Sequence, residues 1–474
     1  MNLDFVARLK TLLSAEEILD PKEGAEPMLI DERRQYHGKA IAVVAPKTVS
    51  KIADVVRLCA EYGVGIVPQG GNTGYCGGAT PDESGSQLLL SLSKLNRCRE
   101  VDVIGRSITV EAGMILAQIQ QIACEHHLLF PLSMGSEGSC QIGGNLSTNA
   151  GGLAVLKYGT ARDLVLGLEV VTPGGDILNE LKSLRKDTTG YDLKQLFVGA
   201  EGTLGIITAA TLKLFPQPTA TMVCWLAMSE VASLAPLLRS MQAQVGDVVS
   251  SFEYISRESL EYVLSQFETA RDPFDCVYQH YALVEFAGFG SVDEFRTLCL
   301  QALSVAQNDE MLIDAVVADS EKQNDALWFL RENIPRAEKL LGGSIKHDVS
   351  IPISQMSELI SELRGAIANI DGDARLSIYG HVGDGNVHFN VLPPQGVAYL
   401  DYKKDKANAI STRVHDIAAE QFGSFSAEHG VGKLKTDELE KYTTAEGLRL
   451  MQTLKRALDP ENIMNPGKVI PTHR

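Results

Sequence analysis

Paired cysteines are missing from this chain. Its eight cysteines are scattered over 474 residues with no C-x-x-C pair, which removes a zinc ribbon and a disulfide frame and reads as reduced thiols in a cytoplasmic setting. No run approaches the ~18 apolar residues that a membrane-spanning helix needs, so no integral membrane segment is expected. The start, Met1 to Arg8, lacks a basic stretch followed by an apolar one and reads as a short amphipathic helix with no cleavable signal. Positive charge is also short. The net charge of −17 argues against nucleic acid or an anionic membrane as the main partner, and an anionic substrate would need its own local basic residues. Internal repeats and low-complexity tracts are absent. So are two nucleotide fingerprints: no G-x-G-x-x-G opens a β-turn-α unit with an acidic residue ~20 positions on, and there is no G-x-x-x-x-G-K-[ST] loop. A Rossmann nicotinamide site and a nucleoside-triphosphatase site both lose weight.

What is present fits a globular enzyme of two or three domains: 45% hydrophobic and 22% charged residues. Ile41 to Val44 reads as a strand, and Ser50 as the cap of a helix carrying Ile52, Val55, Val56, Cys59 and Tyr62 at helical spacing and closed by Gly63. Further strands are expected at Gly65 to Pro68, Gln87 to Leu90, and Val101 to Ile104 paired with Ile108 to Glu111 through Gly105-Arg106. A helix follows around Ile115, Ile119 and Ile122. The Pro216-Gln217-Pro218 break opens a second unit, with helices at Val231 to Met241 and Asp293 to Ala306 and a strand at Gln279 to Phe286.

The chemistry concentrates late in the chain. Gly380 to Asn390 reads G-H-V-G-D-G-N-V-H-F-N, and Ser426-Ala427-Glu428-His429-Gly430 follows downstream. From Asn386 the pattern alternates: Asn386, His388 and Asn390 share one face, while Val387, Phe389 and Val391 take the other. His381 and His388 are seven apart and would face opposite ways on one unbroken strand. The Gly383-Asp384-Gly385 break resets that parity and lets both rings converge. A single histidine beside a glycine turn is commonly an ordinary hydrogen-bonded residue. Two of them with Glu428 make a ligand set suited to Zn²⁺ and, with less preference, Mn²⁺, Fe²⁺ or Co²⁺. Three protein ligands leave positions open for substrate. His429 is then the natural base, since an imidazole titrates near ~6.5, and Asn390 can bond a substrate carboxylate or a metal-bound oxygen.

Four segments of the first half combine glycine with small polar residues: Pro68 to Gly74, Gly135 to Ser139, Ile142 to Gly152, and Gly199 to Ile207. Glycine lets backbone N–H groups wrap an anion, and Asn, Ser and Thr add donors. Any one of them could be an ordinary turn; four are hard to reach by turns alone.

These segments, with Lys186 to Phe197 (K-D-T-T-G-Y-D-L-K-Q-L-F) and Ser426 to Gly432, resemble the FAD-linked oxidases of the vanillyl-alcohol-oxidase type, in the D-2-hydroxyacid dehydrogenase branch. The likeness covers nearly the whole chain. It implies an α+β fold: an FAD-binding domain begun by residues 1–217, an α+β cap domain over 218–410, and a C-terminal segment, 411–474, that returns to complete the FAD domain and the active site. It implies FAD held by Pro68, Gly70, Gly71, Asn72, Thr73 and Gly74 at the pyrophosphate, by Ser139, Gly143, Gly144, Asn145, Thr148, Asn149 and Gly152 at the diphosphate and flavin, and by Gly202 and Ile207 on the adenosine side. No histidine lies in or near Gly70 to Gly78, so the flavin is expected to be non-covalent.

The resemblance further implies that Arg331 and Lys346 bind substrate carboxylate, which favours a diacid because an Arg fork suits a carboxylate. One departure matters. Four positions after that Arg, where relatives often carry a small hydroxyl residue, this chain has Pro335, which leaves lactate, malate and glycolate open beside 2-hydroxyglutarate. Electron-transfer flavoprotein, a quinone or a cytochrome are all compatible acceptors, and a homodimer is plausible. A subunit that binds flavin without its own activity has no need of His381, His388, Glu428 and His429 together.

Overall fold

The computed structural model describes residues 2–20 and 24–471. The chain divides into two compact units. One is made of residues up to Gly152, Gly159–Gln217 and the chain from Glu428 on; the other of Leu153–Tyr158 and Pro218–Ala427.

In the first unit, helix Val49–Tyr62 buries Ile52, Val55, Val56 and Cys59, the stripe its spacing predicts, and ends at Gly63 with φ +64°. Its cap is Thr48, whose side chain accepts from the Lys51 N–H at 3.4 Å. Ser50, the expected cap, already lies in the first helical turn, because the extended backbone that capping needs occurs two residues earlier. Strands Ala42–Val44, Leu88–Ser91 and Ile66–Gln69 run parallel, with Ile18–Leu19 added antiparallel at the edge. A second sheet is antiparallel throughout, in the order Cys98–Asp102, Ser107–Glu111, Ile206–Lys213, Val165–Val171, Ile177–Glu180. The C-terminal stretch closes the first core. Ile66 donates its N–H to the Ile463 carbonyl at 2.7 Å and accepts from Asn465 at 2.8 Å, while Ile463 and Met464 pack among the helix and strand residues.

The second unit is built on a seven-stranded sheet in which every pairing is antiparallel: Asp314–Val317, Ala220–Met228, His280–Gly288, Val249–Ser256, Arg375–His381, Asn386–Leu392, Asp348–Ser350. Both faces are covered. Cys224 and Leu226 point to helices Leu234–Val245, Val292–Asn308, Met356–Ile370 and Tyr399–Glu420; Trp225 and Ala227 point to Arg257–Gln266, Glu321–Glu332 and Ile334–Leu340. Strand Ala220–Met228 is apolar on both faces and reads as a nearly continuous hydrophobic run. Helix Tyr399–Glu420 belongs to this unit, because it buries Tyr402, Ile410, Val414, Ile417 and Ala418 in its core. The unit boundary therefore falls after Ala427, not after residue 410. Among the described residues no helix is long and apolar enough to cross a membrane.

Candidate active site

Strands Arg375–His381 and Asn386–Leu392 form a hairpin through the single turn Val382–Asp384 and Gly385. Gly385 has φ +76°, and a Cβ there would strike the Ile351 carbonyl oxygen. This tight connection fixes Tyr379 opposite His388 and brings the His381 and His388 rings to 5.7 Å between centroids. The convergence rests on the glycine turn that the sequence marks. On its other side His388 faces Asp348, with Nδ1 and Oδ1 3.9 Å apart, and Asn386 Nδ2 donates to the same Asp348 oxygen at 2.8 Å.

Behind the histidines lies Glu253, fully buried on strand Val249–Ser256 and the Cα partner of His381. His381 Nδ1 is 2.6 Å from Glu253 Oε1, while Arg331 Nε donates to Oε2 at 2.9 Å. Burial alone would raise this carboxyl; the charges and hydrogen bonds of His381 and Arg331 overcome it and hold Glu253 below the usual carboxylate range. The Arg331 guanidinium also lies over the Tyr379 ring at 4.6 Å. Its buried side chain is thus locked at the end of helix Glu321–Glu332. Pro335 sits in the first turn of the next helix, Ile334–Leu340, where its missing N–H costs nothing.

A second buried carboxylate, Glu338, gathers the other two expected substrate residues. Asn390 Nδ2 donates to its Oε1 at 2.9 Å, Ser344 Oγ to Oε2 at 2.8 Å, and Lys346 pairs with Oε2. Asn390 Oδ1 meanwhile accepts from the His347 N–H at 3.1 Å. Glu253, Glu338 and Asp348 are absent from the sequence-derived set. The available signal was weak: a lone acid inside an otherwise apolar strand run, Phe252-Glu253-Tyr254, which is costly unless paired.

Ala427 donates its N–H to the Asp348 carbonyl at 3.2 Å, and Glu428 and His429 are the next two residues of the chain. Within the first unit, Glu428 Oε1 and His429 Nε2 are 3.8 Å apart, and the His429 ring meets Tyr75 edge-on at 4.9 Å. Each unit thus carries a pair of ligand-type side chains, Asp348 with His388 in the second and Glu428 with His429 in the first. His381 has its Nδ1 engaged by Glu253.

The first unit supplies a cradle. Strand Ile66–Gln69 runs into Gly70-Gly71-Asn72-Thr73-Gly74, and none of these five N–H groups has a hydrogen-bond acceptor among the described residues. A Cβ on Gly71 would sit 2.3 Å from the Ser139 carbonyl oxygen, and one on Gly70 would approach Gly144 N at 3.5 Å. Asn145 Oδ1, on helix Ile142–Ser147, is buried without a hydrogen-bond partner among the described residues. Clustered backbone donors, a glycine-lined approach and an orphaned amide oxygen fit a phosphate-bearing polar group such as FAD. Several expected donors are instead spent internally: Asn72 Nδ2 on Ile30 O (2.7 Å), Ser139 Oγ on Ser136 O (3.3 Å), Thr148 Oγ1 on Gly144 O (3.0 Å), while Asn149 Oδ1 accepts from Arg162 N (2.9 Å). Gly152 (φ +153°) abuts Ser133, Gly202 (φ +72°) abuts the Pro68 ring, and Ile207 is buried in strand Ile206–Lys213. Nothing in the geometry singles out Thr73, Gly74 or Gly143 for a ligand beyond their backbone.

Comparison with known proteins decides the family. Residues 40–180 match the FAD binding domain model, and residues 217–469 match the C-terminal domain of FAD linked oxidases. The chain belongs to the FAD-linked oxidases. It is an FAD-dependent dehydrogenase of their D-2-hydroxyacid dehydrogenase branch, 37% identical to the mitochondrial D-2-hydroxyglutarate dehydrogenase of Bos taurus over 99% of this chain and 84% of that one. The mitochondrial D-2-hydroxyglutarate dehydrogenase of Arabidopsis thaliana is 33% identical over 98% and 81%. The fold is that of p-cresol methylhydroxylase, with a TM-score of 0.78 at 16% identity over 99% of this chain and 96% of that one. Both named relatives are mitochondrial proteins, which overturns the cytoplasmic setting read from cysteine usage. Unpaired thiols indicate a reducing compartment without saying which.

Proposed function

We propose that this FAD-linked oxidase converts D-2-hydroxyglutarate to 2-oxoglutarate with the aid of a divalent ion, Zn²⁺ before Mn²⁺, Fe²⁺ or Co²⁺. When bound, FAD would supply the hydride acceptor for C2 and the ion would polarise the substrate hydroxyl. His381, His388 and Glu428 would hold the ion. The 2.6 Å bond from His381 Nδ1 to Glu253 supports this, since a carboxylate on one ring nitrogen orients a ligating histidine.

His429 receives the hydroxyl proton on an imidazole nitrogen. Arg331, Lys346 and Asn390 bind the carboxylates, and a fork already anchored on Glu253 and Tyr379 approaches the substrate with little freedom left to lose. Pro68 borders the FAD pyrophosphate, and Gly70, Gly71, Asn72, Thr73 and Gly74 wrap it through N–H groups that have no acceptor among the described residues. Ser139, Gly143, Gly144, Asn145, Thr148, Asn149 and Gly152 border the diphosphate and flavin, and Gly202 and Ile207 the adenosine side. Electrons then leave to an electron-transfer flavoprotein or a quinone. The observation that carries the reading is the relation of Glu253, His381 and Arg331: one buried carboxylate orients both a ligand-type imidazole and a carboxylate-binding guanidinium.

Anaerobic titration with D-2-hydroxyglutarate tests it. Flavin bleaching that a chelator abolishes and added metal restores is expected. Bleaching by D-lactate or glycolate alone would transfer the proposal to the smaller acids, which lack the second carboxylate; Pro335 is the feature that favours them.

A further inference from the structure

Glu201 opens the tight turn of the segment Gly199 to Ile207 with φ +50°, a conformation a residue with a side chain adopts only when held. It is held at both ends of its backbone: its N–H donates to the Ser147 carbonyl at 2.8 Å, and its carbonyl accepts from Asn465 Nδ2 at 2.8 Å. The side chain reaches the loop after His429. Oε1 accepts from the Val431 N–H at 2.7 Å, and Oε2 from the Gly432 N–H at 2.8 Å. That loop is made to receive it. Gly430 has φ +75° and a Cβ there would lie 2.8 Å from Glu201 Oε1, while Gly432 has φ +53° and abuts the Cys76 carbonyl.

We infer that Glu201 is a positioning residue for His429, acting through the two amides that follow it in the chain; this rests on the reading of His429 as the base. A carboxylate accepting two adjacent N–H groups sets the direction in which the loop leaves, and hence where the imidazole two residues earlier stands. The residue does not touch substrate. Its effect on the base is separated from other effects by a double-mutant cycle.

The test compares wild type, Glu201→Gln, His429→Asn and the double variant, each with FAD in excess. Anaerobic flavin reduction by D-2-hydroxyglutarate is followed, along with amide exchange at Val431 and Gly432. Glu201→Gln keeps the volume but turns an NH₂ toward an N–H donor. It should slow reduction about 10- to 100-fold with little change in substrate Kd. The double variant should be no slower than His429→Asn. Exchange at Val431 and Gly432 should rise in Glu201→Gln and stay protected in His429→Asn. Multiplying losses in the double variant, or unchanged exchange, overturns the inference while the base reading stands. Wild-type reduction by His429→Asn overturns both. Should Glu201→Gln fail to fold, Glu201→Asp, one methylene short, is read the same way.

Discussion

Glu253 and His381 face each other on adjacent strands, and the 2.6 Å hydrogen bond between them joins positions 128 apart in the sequence. Because Arg331 shares the same carboxylate, removing that charge disturbs at once the histidine proposed as a ligand and the arginine proposed to bind substrate.

Glu253→Gln should therefore lose metal affinity by about 10- to 100-fold, and breaking the buried pair should cost about 3–5 kcal/mol of stability. The pH dependence has a definite sign. The folded-state carboxyl is held below its unfolded value, so its contribution is full above the ordinary carboxylate range and is lost as pH falls through the depressed folded value. Denaturant melts should show the wild-type advantage over Glu253→Gln shrinking in acid. A constant gap from neutral to acid pH would remove the charge argument.

The metal set can be read directly. If His381, His388 and Glu428 ligate, His381→Ala should strip bound metal while Asp348→Asn retains most of it, as measured by metal content after gel filtration. The reverse pattern would put Asp348 in the ligand set in place of His381.

Arg331→Ala should reduce oxidation of the diacid about 10- to 100-fold more than that of D-lactate, the worth of a charge-assisted hydrogen bond. Comparison of kcat/KM for the two substrates checks this. Equal losses would place Arg331 in a structural role beside Glu253.

Gly71→Ala puts a methyl 2.3 Å from the Ser139 carbonyl oxygen, against backbone that has no way to yield locally. Purified protein should carry much less flavin per chain than wild type at similar yield. Full flavin content would show that this loop does not border the cofactor.

Lys468 is buried, and burial together with Lys433, opposed by Asp82, pulls its ammonium down to about 8. The unfolded chain keeps the proton to about 10.4, so wild type gains stability between those values as pH rises. Lys468→Met should be the more stable form at neutral pH, and its advantage should narrow across that window in urea melts. A gap independent of pH would mean that Lys468 is not pressed toward its neutral form.

The parts legible in the sequence were those set by neighbours along the chain. Helix Val49–Tyr62 with Gly63 and the convergence of His381 and His388 across a glycine turn needed only local periodicity and turn chemistry. The capping threonine was missed by two residues, since Thr48 and Ser50 are equally good caps in isolation. Glu253, Glu338 and Asp348 were not legible, because each acquires its meaning from strands or helices paired across long stretches of chain. The same holds for Tyr399–Glu420: its amphipathic stripe says that it packs, not on which unit.

The bridge between Ile66 and the Ile463–Asn465 segment has a consequence for biosynthesis. The sheet residue and its closing partner are separated by nearly the whole polypeptide, including a second unit whose strands all pair among themselves. On the ribosome that second unit can fold as soon as it emerges, while the first must wait with part of its core uncovered until Ile463 and Met464 arrive. Truncations that remove Ile463 and everything after it should therefore reach the cell as one folded unit tethered to an aggregation-prone one.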